Sequence, residues 1–164
     1  MKKIKVGVWG LGRAGLGMHV PGMGKFPEMF EIVAGCDIDK DRLKAAKEKI
    51  PSARLYQKPE DFLNDKDIEL VTIATRSPDH VEHCLKALAK GFIVFQEKPI
   101  AMNYADAKKL KKAHQKYPGK LFIRHNRRFE PAFMHIRDIL SSGIIGDIYE
   151  VKLHRQGYQR REIG

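Results

Sequence analysis

Cysteine and tryptophan are scarce in this chain, and long hydrophobic runs are absent. Only Cys36 and Cys84 occur among the 164 residues, which excludes a disulfide framework and a four-cysteine metal site. No apolar run approaches the roughly 18 residues that cross a bilayer. The Met-Lys-Lys start also lacks the apolar stretch and cleavage site of a secretory signal. We therefore expect a soluble cytoplasmic protein with no membrane partner.

Positive charge is concentrated towards the end of the chain. The formal net charge is +11, and residues 101–164 hold 14 basic and 6 acidic side chains, which is +8 of that total. Such a basic region is compatible with a nucleic-acid partner. Its lysines lie opposite the apolar stripe of a predicted helix, so a solvated helix face is favoured and we expect no nucleic-acid partner. These lysines are Lys108, Lys109, Lys111, Lys112 and Lys116.

Apolar runs alternate with segments of helical spacing, which is typical of strand-helix units around a parallel sheet. Hydrophobic residues make up 43% of the chain, enough for a folded core. We predict an α/β fold with a doubly wound parallel sheet in the Rossmann strand order 3-2-1-4-5-6. One proline and two glycines within Val20–Gly24 should break the first helix and leave an irregular loop. The predicted strands are Lys3–Trp9, Glu31–Cys36, Ala53–Tyr56, Glu69–Thr75, Phe92–Gln96 and Lys120–His125.

The pattern changes after the sixth strand. Pro131 opens a short helix that Gly143 ends, and Ile148–Leu153 then has the pattern of a strand without a later partner. We predict one domain over residues 1–125 and the first elements of a second, α+β domain over residues 126–164. An unpaired apolar strand favours pairing with another copy, so we expect a homo-oligomer.

A glycine-rich motif, G-x-G-x-x-G, follows the first strand directly. Its first glycine allows a tight turn, the second allows backbone to approach a pyrophosphate, and the third allows close packing of helix on strand. The amides at the start of the following helix then face the phosphates of a dinucleotide. The motif consists of Gly10, Leu11, Gly12, Arg13, Ala14 and Gly15.

An acidic residue stands where the ribose of such a dinucleotide is recognised. Asp37 ends the second predicted strand, and its carboxylate is placed to accept hydrogen bonds from ribose hydroxyls. A carboxylate repels a 2′-phosphate, so NAD is favoured, whereas Lys40 and Arg42 keep NADP open. The alternative is that Asp37 only caps the next helix, and this is the better interpretation for Asp39.

A second group of polar residues follows the fourth and fifth strands. The segments Thr75–His80 and Glu97–Pro99 end neighbouring strands, whose carboxyl ends open on one crevice. Lys98 in that crevice could exchange a proton with a hydroxyl undergoing oxidation, and on spacing alone a surface lysine is an equally good interpretation. His80 and His83 have the spacing of a metal pair but no third ligand, so we predict no metal site.

Together these motifs resemble the Gfo/Idh/MocA oxidoreductases, named for glucose-fructose oxidoreductase and inositol dehydrogenase. Glu97-Lys98-Pro99 followed by Asn126-Arg127-Arg128-Phe129-Glu130-Pro131 is the specific part of the resemblance. It implies hydride transfer between a nicotinamide cofactor, NAD or NADP, and a hydroxyl-bearing carbon of a sugar or polyol. It also implies a catalytic role for Lys98. The implied cofactor-binding residues, beyond the glycine motif, are Asp37, Ile38, Thr75, Arg76, Ser77, His80, Glu97, Lys98, Asn126 and Arg128.

The family resemblance also implies parts that these 164 residues do not contain. Members are roughly twice as long, and their second domain supplies most substrate contacts and an Asp-x-x-x-His pair that works with the lysine. We therefore expect mainly the cofactor-binding part of an oxidoreductase, with a truncated second domain for substrate binding and oligomerisation. For His80, a structural role remains open. For the whole chain, the alternative is a dinucleotide sensor or regulatory partner without chemistry.

Overall fold

A six-stranded parallel sheet forms the centre of the protein in the computed structural model, which describes residues 2–154 and 156–157. The strand order is β3-β2-β1-β4-β5-β6, and every neighbouring pair is parallel. This confirms the predicted doubly wound sheet and its order. The strands are β1 Ile4–Trp9, β2 Phe30–Cys36, β3 Arg54–Tyr56, β4 Leu70–Ile73, β5 Ile93–Gln96 and β6 Leu121–Ile123.

In the described part of the chain, six α-helices and three shorter helical turns connect and follow these strands. Two of the helices begin with side-chain caps: Asp39 accepts from the amide of Asp41, and Asn103 from that of Asp106. The α-helices are α1 Val20–Gly24, α2 Lys40–Lys49, α3 Pro59–Leu63, α4 His80–Ala89, α5 Tyr104–Lys116 and α6 Pro131–Ser141. The turns are a π-helical turn at Gly15–His19 and 3₁₀ turns at Ser77–Asp79 and Asn126–Phe129.

The first helix differs from its prediction. Val20–Gly24 is helical and continues directly from the π-helical turn, so the predicted break at this segment is wrong. Pro21 lies at the junction of the two helical segments, where it donates no backbone hydrogen bond to the preceding turn. The wider turn before it is bonded over five residues, as in the bond from the His19 amide to the Ala14 carbonyl.

The core lies on both faces of the sheet because side chains of a strand alternate in direction. On one face Val6 and Val8 pack with Leu16 and Ala46. On the other, Trp9 packs in a larger cluster with Phe62 and residues of α4 and α5. The two layers fix the carboxyl ends of the strands, where the predicted site residues lie.

Both cysteines are free and buried, and burial raises the pKa of each thiol to about 12.

The chain divides into two compact units, Met1–His125 and Asn126–Gly164. In the second, α6 is followed by Gly143 and Gly146 with positive φ. The predicted strand at Ile148–Leu153 is wrong: the segment forms no strand, and Tyr149 within it is 98% exposed. A strand needs a neighbour for its backbone hydrogen bonds, and the described residues of this unit provide none. Within the described residues, no helix is long and apolar enough to cross a bilayer.

Candidate functional site

The glycine motif forms a tight turn between β1 and the first helical segment. Gly10 has φ of 95°, a conformation that side-chain-bearing residues rarely adopt. A Cβ on Gly15 would lie 1.9 Å from the carbonyl oxygen of Gly10, so only glycine fits there. A Cβ on Gly12 would meet only the Arg42 side chain, at 3.5 Å. The motif therefore packs tightly at its ends and leaves open space at its middle glycine.

A cavity of about 450 Å³ opens beside this turn, at the carboxyl ends of β1, β2 and β4. It brings together eight of the residues implied by the sequence: Gly10, Gly12, Arg13, Ala14, Asp37, Ile38, Thr75 and Arg76. Six further residues line it that were not among those implied: Trp9, Arg42, Pro59, Ala74, Asp79 and His83. Trp9 and Ala74 lie directly at or after a strand end, which is the signal that could have found them, whereas Arg42 and His83 lie within α2 and α4, where no strand-end pattern marks them.

Asp37 joins the second strand to the glycine motif. The side chain is almost buried, and its Oδ2 accepts a hydrogen bond of 2.7 Å from the amide of Leu11. Its Oδ1 accepts from the amide of Asp39 at 3.0 Å, and Arg42 Nη1 lies 3.5 Å from Oδ2. Asp39, not Asp37, caps α2. The carboxylate of Asp37 thus fixes the glycine turn and faces the cavity with one cation beside it.

Trp9, Thr75 and His83 form one wall of the cavity. The rings of Trp9 and His83 stack with their centroids 4.0 Å apart, and His83 Nδ1 is 3.0 Å from the Thr75 hydroxyl oxygen. Burial lowers the pKa of His83 against the opposing charges of Asp79 and Glu82. An uncharged, flat wall of this kind suits an aromatic base.

Six implied residues of the first unit do not line the cavity: Leu11, Gly15, Ser77, His80, Glu97 and Lys98. Leu11 is buried in the core, and Ser77 begins the 3₁₀ turn. His80 is 1% exposed, with Nδ1 2.9 Å from the Pro99 carbonyl and Nε2 3.1 Å from the Thr75 carbonyl. This ring connects the loops after β4 and β5, which supports the structural role for His80. Among the described residues, no group of three or more His, Cys, Asp or Glu side chains is placed to hold a metal.

Glu97 and Lys98 follow β5, but their side chains differ in environment. Lys98 is exposed, whereas Glu97 is 4% exposed and does not line the cavity. Glu97 Oε1 accepts from Arg124 Nη1 at 2.7 Å and from His19 Nε2 at 3.0 Å. Burial opposes ionisation of Glu97, yet the hydrogen bond from His19 and the charge of Arg124 hold its pKa at about 2. Sequence patterns missed His19 and Arg124 because nothing local links them to Glu97.

Asn126 and Arg128 belong to the second compact unit. Both lie in the 3₁₀ turn at Asn126–Phe129, and both are exposed. Their assignment to the cofactor site remains a prediction.

Comparison with known proteins identifies the fold and the family. The family model described as "Oxidoreductase family, NAD-binding Rossmann fold" (GFO_IDH_MocA) matches residues 4–125. The chain belongs to the Gfo/Idh/MocA oxidoreductase family. This confirms the resemblance seen in the motifs, and the matched residues form its NAD-binding Rossmann domain.

Two curated relatives are inositol dehydrogenases. The chain is 33% identical over 145 residues to inositol 2-dehydrogenase of Salmonella typhimurium strain LT2, covering 87% of the chain and 43% of that protein. It is 32% identical over 157 residues to a scyllo-inositol 2-dehydrogenase (NADP(+)) of Bacillus subtilis strain 168. This match covers 93% of the chain and 42% of that protein. The chain therefore spans less than half the length of these relatives.

Solved dehydrogenase structures also match most of this chain and less than half of their own length. The WlbA dehydrogenase of Bordetella pertussis, crystallised with NADH and UDP-GlcNAcA, has a TM-score of 0.85 at 26% identity, over 91% of this chain and 44% of that one. Scyllo-inositol dehydrogenase of Lactobacillus casei with bound NAD(H) and scyllo-inositol has a TM-score of 0.82 at 26% identity. The match covers 89% of this chain and 43% of that one. These neighbours carry the cofactor type that the sequence analysis expected.

Proposed function

We propose that this chain is the cofactor-binding part of an oxidoreductase that transfers hydride between NAD(H) and a hydroxyl-bearing carbon of a sugar or cyclic polyol. The observation that carries the proposal is the cavity in which the glycine turn, the Asp37 carboxylate and the wall at Trp9 meet. The inositol dehydrogenases among the relatives support the substrate class.

The cavity suggests an orientation for the dinucleotide. Its diphosphate would lie at the open middle of the glycine turn. The first amides of a helix have no partner within the helix and can donate to phosphate oxygens. Its adenosine would lie between Asp37 and the flat wall of Trp9 and His83. The nicotinamide would then extend along the carboxyl ends of the strands towards β5 and Lys98.

Cofactor preference depends on two neighbouring groups of opposite charge. The Asp37 carboxylate favours the ribose hydroxyls of NAD(H), and it would repel the 2′-phosphate of NADP(H). Arg42 is half exposed and lies 3.5 Å from that carboxylate, so a 2′-phosphate would compete for its guanidinium. We expect NADH to bind more tightly than NADPH, and Asp37→Ser to narrow or reverse the difference in dissociation constants.

Lys98 is the residue we assign to proton transfer. It is exposed at the carboxyl end of β5, next to the strand whose end contributes Thr75 to the cavity wall. A lysine there would hold the substrate hydroxyl and accept its proton as hydride leaves the carbon. The family's Asp-x-x-x-His pair is not found in residues 126–164, so turnover requires groups beyond those seen here.

Residues 126–164 form, in this proposal, the beginning of the substrate and oligomerisation domain. Apolar side chains in this unit are exposed, among them Ile144, Val151 and Leu153. Burying them against a second copy would remove apolar surface from water, which supports a homo-oligomer. Sedimentation velocity over a range of concentrations tests this, and a monomer at all concentrations would contradict it.

The function is tested by binding and by turnover. Trp9 is the only tryptophan and lines the cavity, so its fluorescence should change saturably on titration with NADH. Reduction of NAD by a panel of inositols and sugars is then measured with and without the second domain of a relative supplied in trans. Binding without turnover in both cases would favour the sensor alternative, and absence of binding would contradict the proposal.

A further inference from the structure

His83 lines the cavity beside the glycine turn, and it is not part of the motifs that carry the family resemblance. It lies in the first turn of α4, and its side chain is half-buried. The Trp9 ring stacks on one face of the imidazole, with the ring centroids 4.0 Å apart, and Nδ1 is 3.0 Å from the Thr75 hydroxyl oxygen. These two contacts hold the imidazole ring in one orientation in the cavity wall.

The contacts of Trp9 and Thr75 leave the opposite ring face and Nε2 of His83 for a ligand. Among the described residues, Nε2 has no hydrogen-bond partner, and it is not one of the buried polar atoms that lack a partner. Nε2 is therefore accessible. An adenine base carries a donor, N6, and an acceptor, N7, along one edge. A neutral imidazole can bond to either of them, depending on which ring nitrogen holds the hydrogen.

The acidic groups that act on His83 already have partners of their own. Asp79 bonds to Arg76 at 3.0 Å, and Glu82 bonds to Lys86 at 2.6 Å. An unpaired carboxylate favours a charged imidazole, and a carboxylate paired with a cation does so much less. Burial is the largest influence, and it lowers the pKa of His83 below the ordinary 6.5.

The other charged groups around His83 also favour the uncharged ring. On α4 itself, Lys86 and His80 both act to lower its pKa. The charged groups on the remaining walls of the cavity are two cations and one anion, namely Arg13, Arg42 and Asp37. A protonated His83 would thus add a positive charge to a site whose charge is already positive on balance.

A bound base would strengthen the preference for the uncharged ring. An aromatic base laid against His83 removes water from the imidazole, and loss of water disfavours the charged form of a histidine. Adenine is uncharged, so it supplies no opposite charge in return. Below the pKa of His83 the ligand must first displace a proton, whereas above that pKa the ring is already neutral.

We propose that His83 binds the adenine base of the dinucleotide as an uncharged imidazole, so that binding displaces a proton from this ring at low pH. The inference rests on the proposed function, which places the adenosine beside the wall of Trp9 and His83. It makes His83 a binding residue for the base, and it makes affinity for the cofactor fall as the pH falls.

ADP-ribose is the probe for this proposal, because it contains the adenosine diphosphate end of the cofactor and has no group that titrates near neutral pH. Its dissociation constant is measured by calorimetry from pH 8 to pH 5, a range in which Glu97 stays ionised. We expect a constant value near pH 8 and a rise of at least about threefold by pH 5. One displaced proton limits the slope to about tenfold per pH unit.

Proton magnetic resonance observes the same event on the ring itself. The ring C–H resonance of His83 is identified by its absence in the His83 variants, and its chemical shift is followed against pH. Saturating ADP-ribose should move the midpoint of this titration to lower pH.

The variants separate proton displacement from packing. His83→Gln keeps a hydrogen-bonding group near the position of Nε2 and does not titrate, so it should bind ADP-ribose within about threefold of the unmodified protein at pH 8, without the rise towards pH 5. His83→Phe keeps a flat ring against Trp9 without the hydrogen bond, so it should bind about two- to tenfold more weakly at every pH. His114→Gln is the matched control, because His114 is an exposed histidine on α5 outside the cavity, and it should keep the full rise.

Each outcome decides the proposal. A dissociation constant that is independent of pH overturns it, and so does one that falls towards pH 5, which would indicate a charged imidazole held against Trp9. A rise retained in folded His83→Gln also overturns it, because another group would then bind the proton. If His83→Gln does not fold, as judged by circular dichroism, the resonance of the unmodified protein decides, and a midpoint that ADP-ribose leaves unchanged or raises overturns the proposal. Absence of binding of both ADP-ribose and NADH at pH 8 would instead contradict the proposed function, so the two failures are distinguishable.

Discussion

Residues 2–125 and the described residues after 125 follow similar sequence patterns with different results. In the first unit, every predicted strand forms and pairs with a neighbour, as β4 does with β1 and β5. In the second, Ile148–Leu153 has a strand pattern but forms no strand, and its apolar side chains are exposed. An alternating pattern therefore produces a strand only where neighbours complete its hydrogen bonds and cover its apolar face.

The largest expected difference between the two units concerns buried and exposed phenylalanine. Phe62 is fully buried in the core of the first unit, whereas Phe129 in the second is 75% exposed. We expect Phe62→Ala to lower the free energy of unfolding of the first unit by about 3–5 kcal/mol. Phe129→Ala should change it by less than about 0.5 kcal/mol. Urea denaturation followed by Trp9 fluorescence measures both, and equal effects would contradict the difference in burial between the two side chains.

Acid should destabilise the first unit through Glu97. The pKa of Glu97 is about 2 in the folded protein against an ordinary 4.5, so its stabilisation is present above pH 4.5. It is lost as the pH falls from 4.5 towards 2, for a total of about 3 kcal/mol. Urea midpoints between pH 6 and pH 2.5 should show this slope, and Glu97→Gln should flatten it. A slope unchanged in that variant would contradict the assignment.

Asp37 should affect binding more than folding. Asp37→Asn removes the negative charge that bonds the Leu11 amide and is placed for the ribose, so NADH should bind roughly tenfold more weakly, or about 1.4 kcal/mol. Asp39→Asn is the matched control, since an asparagine cap retains the hydrogen bond at the start of α2 and should leave affinity within about twofold. Fluorescence titration of Trp9 measures both constants.

The smallest effect compares helix starts in the two units. Asn103 caps α5 with a hydrogen bond to the Asp106 amide, while Glu130 before α6 makes no side-chain cap bond. Asn103→Ala should cost about 1 kcal/mol of unfolding free energy, and Glu130→Ala should cost almost nothing. Thermal denaturation followed by circular dichroism tests this, and a larger effect for Glu130 would contradict it.

The order of the sheet and the meeting of the glycine motif with Asp37 could be predicted because both depend on local patterns. Strand periodicity, the glycine motif and Asp37 are each visible over a few residues, and the topology of parallel strands then brings their carboxyl ends together. The helix at Val20–Gly24 and the π-helical turn before it could not be predicted. Proline and glycine within five residues indicate a helix break when only local propensities are considered. The contacts of Glu97 could not be predicted, because His19 lies 78 positions before it and Arg124 lies 27 positions after it. No local sequence pattern links residues so far apart.

In the proposed function the cavity beside the glycine turn holds the dinucleotide, and calorimetric titration with NADH measures that binding without need of turnover. We expect one saturable site per chain in the unmodified protein. Gly12→Asp should lose that site, because its side chain has room in the fold but would place a negative charge where the diphosphate binds. Absence of a saturable heat in the unmodified protein, or equal affinity in a folded Gly12→Asp variant, would show that the dinucleotide does not bind in this cavity.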